Sequence, residues 1–156
     1  KKVTYEGILK KIHLAQEGMK FFPIENPLIA VSALNPHCGE GGLFGRQEID
    51  EIEPAIKQAQ SEGINVIGPI PADTIYVKAK DGAYDLVISL YHDQSNMAIK
   101  LLGFGNVVTL LAGVPVIRTS TGHGTAFDIA GKNIASENNL HEAIKTAAEL
   151  AAHQKN

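Results

Sequence analysis

The stretch Leu28-Ile29-Ala30-Val31-Ser32-Ala33-Leu34-Asn35-Pro36-His37-Cys38-Gly39-Glu40-Gly41-Gly42 decides the fold. Its first half is a short apolar run of the kind that forms a strand covered on both faces. Its second half turns abruptly polar and glycine-rich. The pattern returns downstream, where Leu86-Val87-Ile88-Ser89-Leu90 runs into Tyr91-His92-Asp93-Gln94. In an open α/β sheet, ligands bind in the crevice beyond the carboxyl ends of the strands. His37 and His92 are thus two imidazoles expected at strand ends, and neutral imidazole suits zinc, copper, nickel or iron. Two ligands are too few for a tight site, so a third is expected from Asp93, from a segment outside this sequence or from another subunit.

Around these two stretches, strand and helix patterns alternate. Thr4 reads as an N-cap for a helix with Ile8, Leu9, Ile12 and Ala15 on one face, stopped near Gly18. Gln47 to Glu62 has helical spacing, with Ile49, Ile52, Ala55, Ile56 and Ala59 inward, a kink or restart at Pro54 and an end at Gly63. Ile64 to Ile67 reads as a strand, Ala72 to Val77 as a short helix, and Met97 to Leu102 as a helix ending at Gly103. Val107 to Leu111 and Val116 to Arg118 read as strands able to pair as a hairpin through Gly113 and Pro115. A loop rich in Gly, Ser and Thr follows from Thr119 to Gly131. The last helix spans about Asn139 to Ala152, with Leu140, Ala143, Ile144, Ala147 and Leu150 inward. The alternation predicts an α/β fold with a mainly parallel sheet, and nothing divides residues 1–156 into more than one unit.

The chain has 156 residues, 44% hydrophobic and 20% charged, enough to bury a core without disulfides. A formal net charge of -3 and the lack of a Lys/Arg block argue against a general nucleic-acid binder. No apolar run approaches the ~20 residues that span a bilayer. The single Cys38 cannot form an internal disulfide, so a cytoplasmic location is expected. Lys1-Lys2-Val3-Thr4 has no initiator Met and runs almost at once into a helical pattern, so the sequence is expected to be a piece of a longer chain.

Other residues carry possible chemistry. Lys100 and Arg118 are the cations best placed for an anionic substrate, Lys as a point charge and Arg through paired hydrogen bonds. Asp93 beside His92 is suited to orient that ring or accept a proton. The segment Gly122 to Lys132 mixes glycines, a hydroxyl, His123 and Asp128, material suited to cradling a nucleotide or to an ordinary surface loop. Neither GxxxxGK[ST] nor GxGxxG occurs, so a Rossmann cofactor site is unsupported. Cys38 reads as a small loop residue rather than a nucleophile.

Several motifs fall together in order: AsnProHisCysGlyGluGlyGly at 35–42, GlyProIleProAlaAspThr at 68–74, TyrHisAspGln at 91–94, GlyPheGly at 103–105, ProValIleArgThrSer at 115–120 and HisGlyThrAlaPheAspIleAlaGlyLys at 123–132. With them the chain closely resembles the C-terminal half of the 4-hydroxythreonine-4-phosphate dehydrogenase family of pyridoxal phosphate biosynthesis. The resemblance implies an isocitrate/isopropylmalate-dehydrogenase-like α/β/α sandwich, here as a partial chain. It implies NAD- or NADP-dependent oxidation of 4-phosphohydroxythreonine to a β-keto acid that decarboxylates.

It also implies a divalent metal (zinc, cobalt or magnesium) on His37 and His92, with a third ligand His before Lys1. Lys100 and Arg118 match substrate-binding positions, and Asp93 and Lys100 are the catalytic candidates. His123, Gly124, Thr125, Ala126 and Asp128 lie in the expected nucleotide-binding loop. A homodimer sharing its metal site between subunits follows from the same resemblance. Thr109 stands where the biosynthetic enzyme usually has a substrate-binding Asn. Related members act on four-carbon phospho-sugar acids or on aromatic cis-dihydrodiols, and these remain alternative substrates. A half-length chain, inactive alone, is also compatible with a non-catalytic dimerisation or binding module.

Overall fold

Thr4 begins the first helix as expected: its hydroxyl accepts from Gly7 N–H, one of the donors a helix start leaves unpaired. The computed structural model describes residues 3–103 and 105–153; Lys1, Lys2 and Phe104 of the GlyPheGly motif lie outside them. Helix α1 (Tyr5–Met19) buries Ile8 and Ile12, one turn apart. The elements that follow are strand β1 (Ile29–Ser32), helix α2 (Glu53–Ser61), strand β2 (Val66–Ile70), helix α3 (Ile75–Lys80) and strand β3 (Leu86–Ile88). Helix α4 (His92–Gly103), strands β4 (Val108–Leu110) and β5 (Thr119–Thr121) and helix α5 (Asn138–His153) complete the chain.

Two compact units result, Lys1–Ala98 and Ile99–Asn156. In the first, β1 lies between β2 and β3 in a three-stranded parallel sheet. All four residues of β1 are fully buried, as a strand covered on both faces requires of Ile29, Ala30 and Val31, while Ser32 satisfies its hydroxyl by donating to Ala33 O. Ile8 and Ile12 of α1 and Ala55, Ile56 and Ala59 of α2 join Ile29, Val31, Ile52 and Val66 in one core. Burying each large aliphatic side chain there contributes about 1.5–3 kcal/mol. Strand β2 runs on through Pro69 to Ile70, beyond its expected end at Ile67. At an edge strand with a register shift, a proline costs no ladder bond.

The segment expected as a helix from Gln47 is regular only from Glu53, with Pro54 in its first turn, where a missing N–H is harmless. Before it, Glu48–Ile52 forms a wide π-type turn. Each residue advances less far around the axis in such a turn. The result reverses one expectation: Ile49 is turned outward at 36% exposure, while Glu48 is buried at 1%.

Helix α3 starts three residues later than expected, because Pro71 to Thr74 form a turn in which Pro71 O accepts from Thr74 N–H and Ile75 N–H. Helix α4 starts earlier than expected, so His92, Asp93 and Gln94 form its first turn instead of a loop.

In the second unit β4 and β5 pair antiparallel. The hairpin is present, but its second strand is Thr119–Thr121 rather than Val116–Arg118, and Val116 is 63% exposed. The β4–β5 pairing continues at both ends, with Leu111 N–H on Arg118 O and Gly122 N–H on Val107 O. A Cβ at Gly122 would meet Val107 Cγ1 at 2.7 Å, so only glycine permits that approach. Helix α5 buries Ala143 and Leu150, but Leu140 and Ile144, expected inward, are exposed. Thr119 Oγ1 donates to Ala143 O and ties β5 to α5. Among the described residues no helix is long and apolar enough to cross a membrane.

Candidate metal and substrate site

The loop after β1 is built by its own sequence. Asn35 Oδ1 accepts from His37 N–H (3.0 Å) and Gly39 N–H (3.4 Å), which folds the chain back at once. Cys38, Gly39, Glu40 and Gly41 then take left-handed φ values of 51°, 73°, 43° and 65°. At Gly39 glycine is required twice over: a Cβ would lie 2.8 Å from Glu48 Oε2. That buried carboxylate accepts Leu34 N–H on Oε1 (3.0 Å) and fastens the end of β1, while Oε2 has no hydrogen-bond partner.

His37 emerges from this turn with an exposed ring. Phe44 packs against it, ring centroids 4.8 Å apart, and Nδ1 lies 3.6 Å from Glu40 Oε2. His92 opens α4, also exposed, with Nδ1 2.9 Å from Asp93 Oδ1. Both rings therefore turn Nδ1 toward a carboxylate. At His92 the contact is within hydrogen-bond distance, so a proton on Nδ1 would satisfy it and leave Nε2 free to coordinate, the arrangement by which carboxylates orient imidazole ligands; at His37 the carboxylate is nearby but beyond that distance. The donor chemistry fits part of a metal site, with one ring in the loop after β1 and the other at the start of the helix after β3, two neighbouring parallel strands. Among the described residues no three His, Cys, Asp or Glu side chains gather closely enough to hold a metal ion, so these two rings alone do not make a complete site.

Cys38 Sγ lies 3.5 Å from Pro69 O. Burial, then the negative charges of Glu48 and Glu53, push its thiol above the ordinary range. It stays protonated at neutral pH, which disfavours a nucleophilic role.

The remaining sequence candidates lie in the second unit. Lys100 is exposed near the end of α4. Thr109 is exposed at the middle of β4, opposite Ser120. Arg118 is exposed immediately before β5. His123, Gly124, Thr125, Ala126 and Asp128 are all exposed; His123 Nδ1 lies 2.8 Å from Gly124 O, and Ala126 takes φ 50° ahead of a short 3-10 turn, Phe127–Ile129. Sequence reasoning missed two buried polar side chains, Glu48 and Gln94. Gln94 stood in a recognised motif, but only the helical start at His92 reveals that it points inward.

A parallel sheet with one imidazole in the loop beyond β1 and another at the start of the helix beyond β3 defines an α/β protein of the class whose ligand crevices lie beyond the strand ends. More specifically, the chain belongs to the family described as pyridoxal phosphate biosynthetic protein PdxA, matched over residues 1–147. It is 48% identical over 149 residues to 4-hydroxythreonine-4-phosphate dehydrogenase of Geobacter metallireducens, covering 96% of this chain and 44% of that protein. It is also 48% identical over 163 residues to a Bradyrhizobium diazoefficiens protein named "Putative D-threonate 4-phosphate dehydrogenase", covering 97% and 47%. The crystal structure of 4-hydroxythreonine-4-phosphate dehydrogenase from Klebsiella pneumoniae superposes with a TM-score of 0.83 at 39% identity, covering 96% of this chain and 45% of that one. The chain thus spans less than half the length of the relatives it matches.

Proposed function

We propose that this chain is the C-terminal portion, one α/β unit in function, of an NAD- or NADP-linked dehydrogenase acting on a small phosphorylated substrate. The leading substrate is 4-phosphohydroxythreonine, oxidised to a β-keto acid that decarboxylates. Membership of the PdxA family across residues 1–147 carries the reading. The two carboxylate-backed imidazoles at neighbouring strand ends add chemical support.

In this reading His37 and His92 present Nε2 to a divalent cation (zinc, cobalt or magnesium), completed by ligands outside the described residues and shared across a homodimer. When bound, that cation would supply Lewis acidity toward a substrate hydroxyl. The nicotinamide cofactor would supply the hydride acceptor. Asp93 orients the His92 ring and is the candidate for moving a proton near it. Lys100 and Arg118 neutralise the substrate phosphate or carboxylate, and Thr109 contacts the substrate beside them. Residues His123 to Asp128 line the nucleotide.

A second reading is D-threonate 4-phosphate, a four-carbon phospho-sugar acid. The name of the Bradyrhizobium relative and Thr109, where an Asn is usual in the biosynthetic enzyme, favour it. Rates of NADH or NADPH formation with each substrate, measured on the longer protein carrying this sequence, decide between them. Activity with neither, with zinc, cobalt and magnesium each supplied, would remove the dehydrogenase reading and leave a binding module.

A further inference from the structure

Strands β1 and β3 pair in parallel at Ile29 with Leu86, Ala30 with Val87 and Val31 with Ile88. Continuing that register sets Ala33 opposite Leu90. The side chain of Gln94 connects these two residues: its Nε2 donates to Ala33 O (2.8 Å) and its Oε1 accepts from Leu90 N–H (2.8 Å). A carboxamide has the donor and acceptor of a peptide unit, so it can extend a ladder rung across a wider gap. Gln94 is 6% exposed and Ala33 fully buried, so neither group has water as an easy substitute. On its other side the end of β1 stays tied to β2, with Ala33 N–H on Ile70 O.

The two bridged backbones lead directly to the imidazoles. Ala33 lies four residues before His37, and Gln94 two residues after His92 in the same first turn. We propose that Gln94 is a positioning residue whose carboxamide acts as a spacer between Ala33 and Leu90 and sets the separation of the loop bearing His37 from the helix start bearing His92. Its value for metal binding rests on the ligand reading above; the spacer role stands on the bonds themselves.

The test compares the longer protein carrying this sequence with its Gln94→Met variant, which keeps length and loses both bonds, and its Gln94→Glu variant, which keeps the acceptor and turns a second oxygen on Ala33 O. The first readout needs no metal: Leu90 amide exchange and the crystallographic His37 to His92 Cα separation. Exchange in Gln94→Met is expected to accelerate about tenfold or more, with a changed separation. The second is affinity for Co2+ alone, expected to fall about tenfold in both variants. Ile12→Ala, which disturbs only the core, should leave the Co2+ affinity of the folded protein unchanged.

Should Gln94→Met fail to fold, Gln94→Glu, in which Leu90 N–H keeps its acceptor, carries the Cα separation and the Co2+ affinity. An unaltered separation in either variant, or unaltered Leu90 exchange in Gln94→Met, overturns the spacer. A changed separation with wild-type Co2+ affinity overturns its role in the site. If His37→Ala and His92→Ala bind Co2+ as wild type does, the ligand reading falls, and the metal-free measurements still decide the spacer.

Discussion

The two units bury their apolar residues very differently. In the first, Ile12, Ile29, Ile52 and Ile75 are wholly inaccessible. In the second, the buried hydrophobics among the described residues are Ala143 and Leu150, while Leu101 is 86% and Phe127 82% exposed. Hydrophobic burial is the main favourable term in folding, so the first unit should hold most of the chain's own stability. The expected metal ligands belong to that unit. The expected phosphate and nucleotide contacts belong to the other. The two sets of expected contacts thus rest on supports of unequal strength.

The sharpest way to break this comparison is a pair of truncations. Ile12→Ala should cost about 2–5 kcal/mol in urea unfolding, through lost burial and a cavity. Ile144→Ala on the exposed face of α5 should stay within about 0.5 kcal/mol. Equal losses would show that the second unit is as well packed as the first. A smaller effect is expected at the rim of the first unit, where Gly39→Ala should cost about 1–3 kcal/mol by forcing a Cβ onto a left-handed residue against Glu48. The same unfolding measurement checks it.

Asp93→Asn removes the carboxylate behind His92 and should weaken Co2+ binding about tenfold without changing stability. Unchanged affinity would deny Asp93 its orienting part. The mildest effect concerns Cys38. Its raised thiol pKa predicts slower iodoacetamide alkylation in the native protein at pH 8 than in urea. The sign for stability follows: the native state holds the thiol proton more tightly than the unfolded chain. Stability therefore declines as pH climbs past the unfolded thiol's pKa toward the higher native one.

Much of the first unit was legible in the sequence. Strand β1 announces itself because a strand covered on both faces is apolar nearly throughout, with Ser32 its one polar residue. Thr4 and Pro54 sit where cap chemistry and a missing N–H place them. The start of α4 was hidden because Asp93, Ser95 and Asn96 are polar, so apolar spacing becomes visible only at Met97. Ser95 Oγ and Asn96 Nδ2 instead donate to His92 O within that turn. Glu48 and Gln94 were hidden for the opposite reason: their burial is set by strand ends distant in sequence, which no local period records. On α5, spacing marked Ile144 as apolar but could not say whether anything covers it. Of the candidate site, residue identities came from motifs in order, while the paired carboxylates on Nδ1 needed coordinates.

The wide turn at Glu48–Ile52 makes the loop unusually sensitive to chain length. Loss of one amino acid there would regularise the winding and swing everything ahead of it by about 100°. Glu48 would leave the interior, Leu34 would lose its acceptor, and the His37 turn would lose its anchor, though no residue of that turn had been touched. A deletion scan should therefore find this segment far less forgiving than an exposed linker of equal length.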